Sequence, residues 1–377
     1  MSKKRILIVF GTRPEAIKMA PVIKVLSLDF EVKTCVTAQH RGMLDQVLDL
    51  FGITPDFDLN LMKSDQDLFS LSSDIMKSIK EVYESIEPDI VLVHGDTTTA
   101  MISALCAFYS RIPVGHVEAG LRTNNLKSPF PEELNRQIVS RIAEYHFSPT
   151  KTSKENLISE GIPEDKIYLT GNTVIDSIIS VSEQADQKHF EKNLLNRIPF
   201  LSNKDQMKNY ILVTGHRREN FGKGFEEICQ AIKEIASKNP EFHIIYPVHL
   251  NPNVLRPVNT ILTGLKNVHL VEPLPYLDFI KLMKGCYLIL TDSGGIQEEA
   301  PTLGKPVIVM RDTSERPEAI EAGTAILSGP EAKSIIKSVQ GLIDSKDLYQ
   351  KMKIKHNPFG DGNASKQISD ILKENIK

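Results

Sequence analysis

Residues 6–15 read Ile6-Leu7-Ile8-Val9-Phe10-Gly11-Thr12-Arg13-Pro14-Glu15. Five consecutive apolar residues predict a strand buried on both faces, because a half-solvated strand would alternate polar and apolar positions. Gly11 ends the strand. Pro14 suits the first turn of a following helix, where its missing N–H costs nothing, and that helix carries Lys18.

The same unit recurs along the 377 residues. Strands are expected at Ile6–Phe10, Val32–Thr37, Ile90–Val93, Pro113–Val117, His146–Ser148 and Ile167–Leu169, with amphipathic helices between them. The second half repeats the pattern with Tyr210–Thr214, His243–Pro247, Val268–Val271, Tyr287–Leu290 and Val307–Met310. Such alternation predicts α/β architecture with parallel sheets covered on both faces. The length exceeds what one core usually supports, so two doubly wound Rossmann-like domains facing a cleft are expected. Ser182–Lys208 is polar, lacks a strand period, and reads as a peripheral helix plus linker. A last helix from about Ala364 to Ile376 is expected, with Asn363 as its N-cap.

The charged fraction of 25% and the formal net charge of −3 give no basic field for nucleic acid or anionic lipid. The apolar run Ile6–Phe10 is too short for a signal h-region or a membrane span, so a cytoplasmic protein with a small-molecule partner is expected. Cys35, Cys106, Cys229 and Cys286 stand singly in apolar surroundings, without the paired spacing of a metal or redox motif. They are expected to be reduced core residues, and no metal site is expected.

Functional residue types collect at the predicted strand ends. Arg13, Lys18 and the N–H groups of the first helix start make an anion site; a plain strand-to-helix turn is the competing reading. The turn is not a GxGxxG fingerprint, which disfavours a nicotinamide cofactor. Asp96 follows Ile90–Val93 and either caps the next helix or serves a site. Glu118 directly ends the strand Pro113–Val117, so its carboxylate is expected in the cleft. Glu132 and Glu133 open a further helix, where they also answer its dipole. Three acidic ends facing one cleft point to acid–base chemistry more than to three separate caps. His216 follows the strand Tyr210–Thr214, a placement structural by default and functional beside Arg217 and Arg218. Thr291-Asp292-Ser293-Gly294-Gly295-Ile296-Gln297-Glu298-Glu299 runs a strand into a glycine-rich helix start, where backbone N–H groups can meet a diphosphate. Glu298 or Glu299 could then accept from ribose hydroxyls.

Taken in order, GTRPEAIKMAP, HGDTTT, GHVEAGLRT, SPFPEELNR, VTGHRREN, PVHLNPNV and TDSGGIQEEAPTLGKPVIVMRDTSERPEA resemble the non-hydrolysing UDP-N-acetylglucosamine 2-epimerases over nearly the whole chain. The resemblance implies a GT-B-type fold, a homodimer and reversible conversion of UDP-GlcNAc to UDP-ManNAc for surface polysaccharide synthesis. It implies an N-terminal domain over 1–172, with 363–377 packing back on it, and a UDP-binding domain over 173–362. Arg13, Lys18, Asp96, Glu118, Glu132 and His216 match the family's catalytic positions, with Arg136 one turn beyond Glu132. Ser293, Gly294, Gly295 and Glu299 match its diphosphate and ribose contacts, and Phe279 its uracil-packing position.

Gln39, His40, Glu133, Arg217 and His249 resemble parts of a second, activating UDP-GlcNAc site found in bacterial members. Gly42 stands where some members carry Gln, and Asp65 where some carry Arg, so activation by substrate does not follow from the resemblance. The implied chemistry is anti elimination of UDP to 2-acetamidoglucal and re-addition, with no cofactor. The rival readings are a hydrolysing 2-epimerase releasing ManNAc and UDP, a GT-B glycosyltransferase, and a non-catalytic nucleotide-sugar sensor, against which the intact Asp96, Glu118, Glu132 and His216 speak.

Overall fold

The computed structural model describes residues 3–37, 41–61, 66–187, 190, 192–202, 209–353 and 356–376. The chain divides into two compact units, Met1–Ser177 with Phe359–Lys377, and Ile178–Pro358. The divide falls inside the helix Thr173–Gln187, a few residues past the 172/173 boundary read from the sequence, because that helix continues without a break.

In the first unit the strands are Arg5–Phe10 (β1), Glu31–Val36 (β2), Phe57–Asp58 (β3), Ile90–His94 (β4), Val114–Val117 (β5), Tyr145–Ser148 (β6) and Ile167–Leu169 (β7). They form one parallel sheet in the order β3-β2-β1-β4-β5-β6-β7. Ile6 through Phe10 are wholly buried, which explains their unbroken apolar run. β1 lies between β2 and β4, with Ile6 opposite both Val32 and Ile90. The chain winds outward on one side of β1 and then returns to start the other side at β4. This reversal leaves a crevice at the carboxyl ends of β1 and β4.

The second unit repeats the plan with Tyr210–Thr214 (β8), His243–Pro247 (β9), Val268–Val271 (β10), Leu288–Thr291 (β11), Val307–Val309 (β12) and Ala325–Leu327 (β13). Their order is β10-β9-β8-β11-β12-β13, so the equivalent crevice opens at the ends of β8 and β11. The helix Lys223–Lys238 covers this sheet with Phe225, Ile228, Ile232 and Ile235, all buried and spaced at helical intervals. Each such side chain contributes on the order of 1.5–3 kcal/mol by leaving water. The expected α/β class with two doubly wound units is therefore present.

Three local expectations change. Ser182–Lys208 does not serve as a linker over its described part. The helix Thr173–Gln187 enters it, Lys192–Arg197 and the 3-10 turn Pro199–Ser202 follow, and Leu194, Ile198 and Leu201 are buried. Asn363 holds the N-cap position of Ala364–Asn375 without a side-chain cap. The carboxylate of Asp176 caps instead, accepting from Ser365 N at 2.8 Å and Ala364 N at 3.3 Å. Finally, β3 and β13 are strands that the sequence reading did not include.

Candidate functional site

The end of β1 is built around Gly11. A side chain there would collide with the hydroxyls of Thr37 and Thr99, which hydrogen-bond to each other at 2.8 Å. Thr12 caps the helix Arg13–Leu26 in a capping box with Glu15. Glu15 is buried, and its carboxylate accepts from Gly11 N, Thr12 N and the Thr12 hydroxyl. Its second oxygen accepts from the Thr97 hydroxyl at 2.8 Å, tying the β1 turn to the β4 turn. Burial pushes the Glu15 carboxyl above its usual range, opposed by His94 and these hydrogen bonds.

Arg13 is half-buried at the helix start, and Lys18 lies one turn on. The Lys18 ammonium pairs with Glu118 Oε2, both side chains about one-tenth exposed. Glu118 follows β5 in left-handed backbone, φ 64°, which is unfavourable for a residue with a side chain. Its Oε2 also accepts from Asn172 Nδ2 at 3.0 Å and lies 3.6 Å from His94 Nε2. Gly95, φ 63°, leaves the adjoining space clear: a Cβ there would stand 3.9 Å from Glu118 Oε1. Glu118 thus combines left-handed backbone with a cation-paired, nearly buried carboxylate.

Asp96 does not cap the helix Thr98–Tyr109, because Thr97 does so, accepting from Ala100 N. The Asp96 carboxylate pairs instead with Arg136, and its backbone oxygen accepts from Asn135 Nδ2 at 2.9 Å. Arg136 thus meets Asp96, with its other terminal nitrogen 3.4 Å from Glu133. Glu132 is half-buried at the first position of Glu132–Ile142. Glu133 is wholly buried and accepts from Thr123 N, Asn124 N and Gln137 Nε2. In this structure Glu133 holds the loop after β5.

In the second unit, Asp292 was not singled out by the sequence reading, yet it organises the ends of β8 and β11. It is fully buried and accepts from the backbone N–H groups of His216 and Arg217, both at 2.8 Å. Its other oxygen lies 3.8 Å from His216 Nδ1. The His216 ring stacks on His249 at 5.3 Å. Burial lowers the His216 pKa, with Asp292 opposing and His249 and Arg217 adding to the fall. Because the side chain keeps 44% of its surface, water tempers that effect.

Ser293 is the N-cap of Gly294–Glu299 but makes no side-chain capping bond. A Cβ at Gly294 would stand 3.7 Å from the Arg217 guanidinium and 3.8 Å from that of Arg316. Two guanidinium groups therefore flank the glycine turn, a setting for phosphate oxygens. Arg217, expected at a second ligand site, lies beside this turn. Arg316 is ion-paired with Glu298. Glu299 Oε1 accepts from the Tyr276 hydroxyl at 3.3 Å. Phe279, half-buried, is three residues from Tyr276 on the helix Tyr276–Gly285 and so shares its face.

Gln39, His40 and Asp65 lie outside the described residues, and Gly42 is exposed on the helix Arg41–Phe51. His249 is exposed, and its Nδ1 accepts from Asn251 N. Among the described residues no group of three or more His, Cys, Asp or Glu side chains could hold a metal ion. All four cysteines are free and buried, and burial pushes the thiols of Cys35, Cys229 and Cys286 up to about 12. No helix among the described residues is long and apolar enough to cross a membrane.

Two doubly wound units, one with cation-paired carboxylates at its switch point and one with a guanidinium-flanked glycine turn, define a nucleotide-sugar enzyme of Rossmann-like, GT-B-type fold. The family model described as UDP-N-acetylglucosamine 2-epimerase matches residues 25–373. The UDP-N-acetylglucosamine 2-epimerase of Escherichia coli (strain K12) is 54% identical, with 98% of this chain and 99% of that one aligned. The crystal structure of UDP-GlcNAc 2-epimerase from Neisseria meningitidis bound to UDP-GlcNAc superposes with a TM-score of 0.92 at 52% identity, covering 98% and 100% of the two chains. That from Methanocaldococcus jannaschii, in complex with UDP-GlcNAc and UDP, gives 0.81 at 33% identity, covering 98% and 99%. The chain belongs to the UDP-N-acetylglucosamine 2-epimerase family and is an isomerase of that family.

Proposed function

We propose that the protein interconverts UDP-N-acetylglucosamine and UDP-N-acetylmannosamine by inverting C2 of the sugar, without releasing free ManNAc. The observation that carries this reading is the pair of strand-end carboxylates, Asp96 and Glu118, each set against its own cation. A glycosyltransferase has less use for several carboxylates facing the donor sugar. Full-length similarity to the bacterial relatives supports the sugar and the reaction.

The C2 hydrogen is not acidic in the ground state, so electrons must first be withdrawn from the ring. Breaking the anomeric C1–O bond sends its electron pair to the diphosphate and develops positive charge at C1, which acidifies C2–H. A carboxylate then takes that proton, giving 2-acetamidoglucal and UDP. Return of a proton to the opposite face of C2 and re-addition of UDP at C1 complete the cycle. No step transfers a hydride, so this route needs no nicotinamide.

Asp96, Glu118 and Glu132 supply the base, the acid and the stabiliser of positive charge. Arg13, His216, Arg217, Arg316 and the backbone of Ser293–Gly295 receive the leaving diphosphate. Glu299 addresses the ribose and Phe279 the uracil ring. Water must be kept from the glucal while it waits for UDP. We place the protein in the cytoplasm as a homodimer supplying surface polysaccharide synthesis.

The reading is tested by incubating the protein with UDP-GlcNAc and separating products chromatographically. UDP-ManNAc as the accumulating product supports it. Stoichiometric free ManNAc would establish the hydrolysing reaction, and an unchanged UDP-GlcNAc pool would refute both.

A further inference from the structure

We infer that Asn172 is the positioning residue for Glu118, fixing which carboxylate oxygen meets its donors; this rests on the reading of Glu118 as a catalytic carboxylate. Asn172 is 2% exposed, and its own orientation is determined at three points. Its backbone N–H donates to Phe359 O at 2.7 Å, where the chain re-enters the first unit. Its backbone oxygen accepts from Ile175 N at 3.0 Å. Its side-chain Oδ1 accepts from Val174 N at 3.1 Å, so the Nδ2 group is aimed at Glu118 Oε2, 3.0 Å away.

Lys18 and His94, which also face Glu118, do not supply this direction. Lys18, from the helix Arg13–Leu26, brings charge on a flexible stem to the same Oε2. His94, from β4, is 3.6 Å from Oε2, beyond a hydrogen bond. A planar amide with its far end already bonded fixes the direction and distance of the N–H aimed at Oε2. Gly171, φ 83°, is shaped by the same contact: a Cβ there would stand 3.3 Å from Phe359 O.

Asn172→Asp is nearly isosteric. It keeps the acceptor for Val174 N and replaces the donor with a second carboxylate against Oε2. The pair then titrates together, and a like charge at that distance moves the acid limb of the kcat profile up by about one pH unit or more. At neutral pH kcat is expected to fall at least about tenfold, part of the roughly 100-fold or more that a general acid–base group contributes, with KM for UDP-GlcNAc within about twofold. Asn172→Ser removes the donor without adding charge. It is expected to lower kcat at unchanged KM with a smaller movement of the limb, and it serves if the Asp variant does not fold.

A purely structural Asn172 would lower the unfolding midpoint and the active fraction while leaving the limb where it is in both variants; that result overturns the inference. Glu118→Gln separates the two readings. If it is inactive while the Asn172 variants keep the wild-type pH profile, positioning alone fails. If it keeps full kcat, Glu118 is not catalytic, and both readings fall.

Discussion

Lys18 reaches Glu118 across 100 residues of sequence, and the two form an ion pair with both side chains about one-tenth exposed. The helix Arg13–Leu26 presents the ammonium, and the left-handed turn after β5 presents the carboxylate. Removing one partner of such a pair leaves the other in a poorly solvated place. Lys18→Met is therefore expected to lose about 3 kcal/mol of stability. Its kcat is expected to fall at least about 100-fold, the low end for loss of a group serving proton transfer. Denaturant melts and steady-state rates check this; a variant as stable and active as the parent would refute the pairing's role.

Glu118→Gln keeps shape and removes the charge. It is expected to abolish epimerisation while UDP binds nearly as before, since the nucleotide is assigned to the turn at Ser293–Gly295. Calorimetric titration with UDP measures this. Lost UDP affinity would mean that Glu118 belongs to the nucleotide site.

Gly294 and Gly11 differ in a way that substitution can expose. At Gly294 a methyl group meets only guanidinium atoms at ordinary contact distance, whereas at Gly11 it strikes two hydroxyls. Gly294→Ala is expected to fold with the parent's melting temperature and to raise KM for UDP-sugars at least about tenfold, one lost charge-assisted contact. Gly11→Ala is expected to lose about 1–3 kcal/mol from overpacking. A normal KM in Gly294→Ala would remove the diphosphate from that turn.

Stability is expected to fall below neutral pH. Burial depresses His116 to about 3 and His146 to about 4. Their unfolded forms take a proton near pH 6.5. Between that value and the folded pKa the unfolded chain binds more protons, so each histidine removes about 1.4 kcal/mol per pH unit of acidification. Glu15 acts in the opposite sense, because its raised pKa makes its cost at neutral pH ease as acid is added. Melts from pH 7 to pH 5 test the sign; a midpoint that rises on acidification would contradict it.

Most of the scaffold was legible because doubly covered strands read as apolar runs, as at Ile6–Phe10 and Tyr210–Thr214. Phe57–Asp58 and Ala325–Leu327 escaped because they are short edge strands, partly exposed, with too few residues to show a period. Candidate site residues in strand-to-helix turns were readable for a similar reason: Gly11, Asp96, Glu118, His216 and Ser293 all stand within two residues of a strand's end. Asn172, Asp292 and Arg316 were not assigned, since their roles depend on partners distant in sequence. Asn172 lies 54 residues from Glu118, and Asp292 lies 76 residues from His216. Glu15 did leave a local trace, the Thr-x-x-Glu spacing of a capping box, but its bond to Thr97 is tertiary.

The central claim is inversion at C2 through a glucal intermediate, and proton and phosphorus NMR of the protein with UDP-GlcNAc in heavy water tests it most directly. The account predicts deuterium appearing at C2 of both UDP-sugars as the UDP-ManNAc anomeric signal grows. UDP-ManNAc that retains its original C2 hydrogen, or no change in UDP-GlcNAc at all, would contradict it.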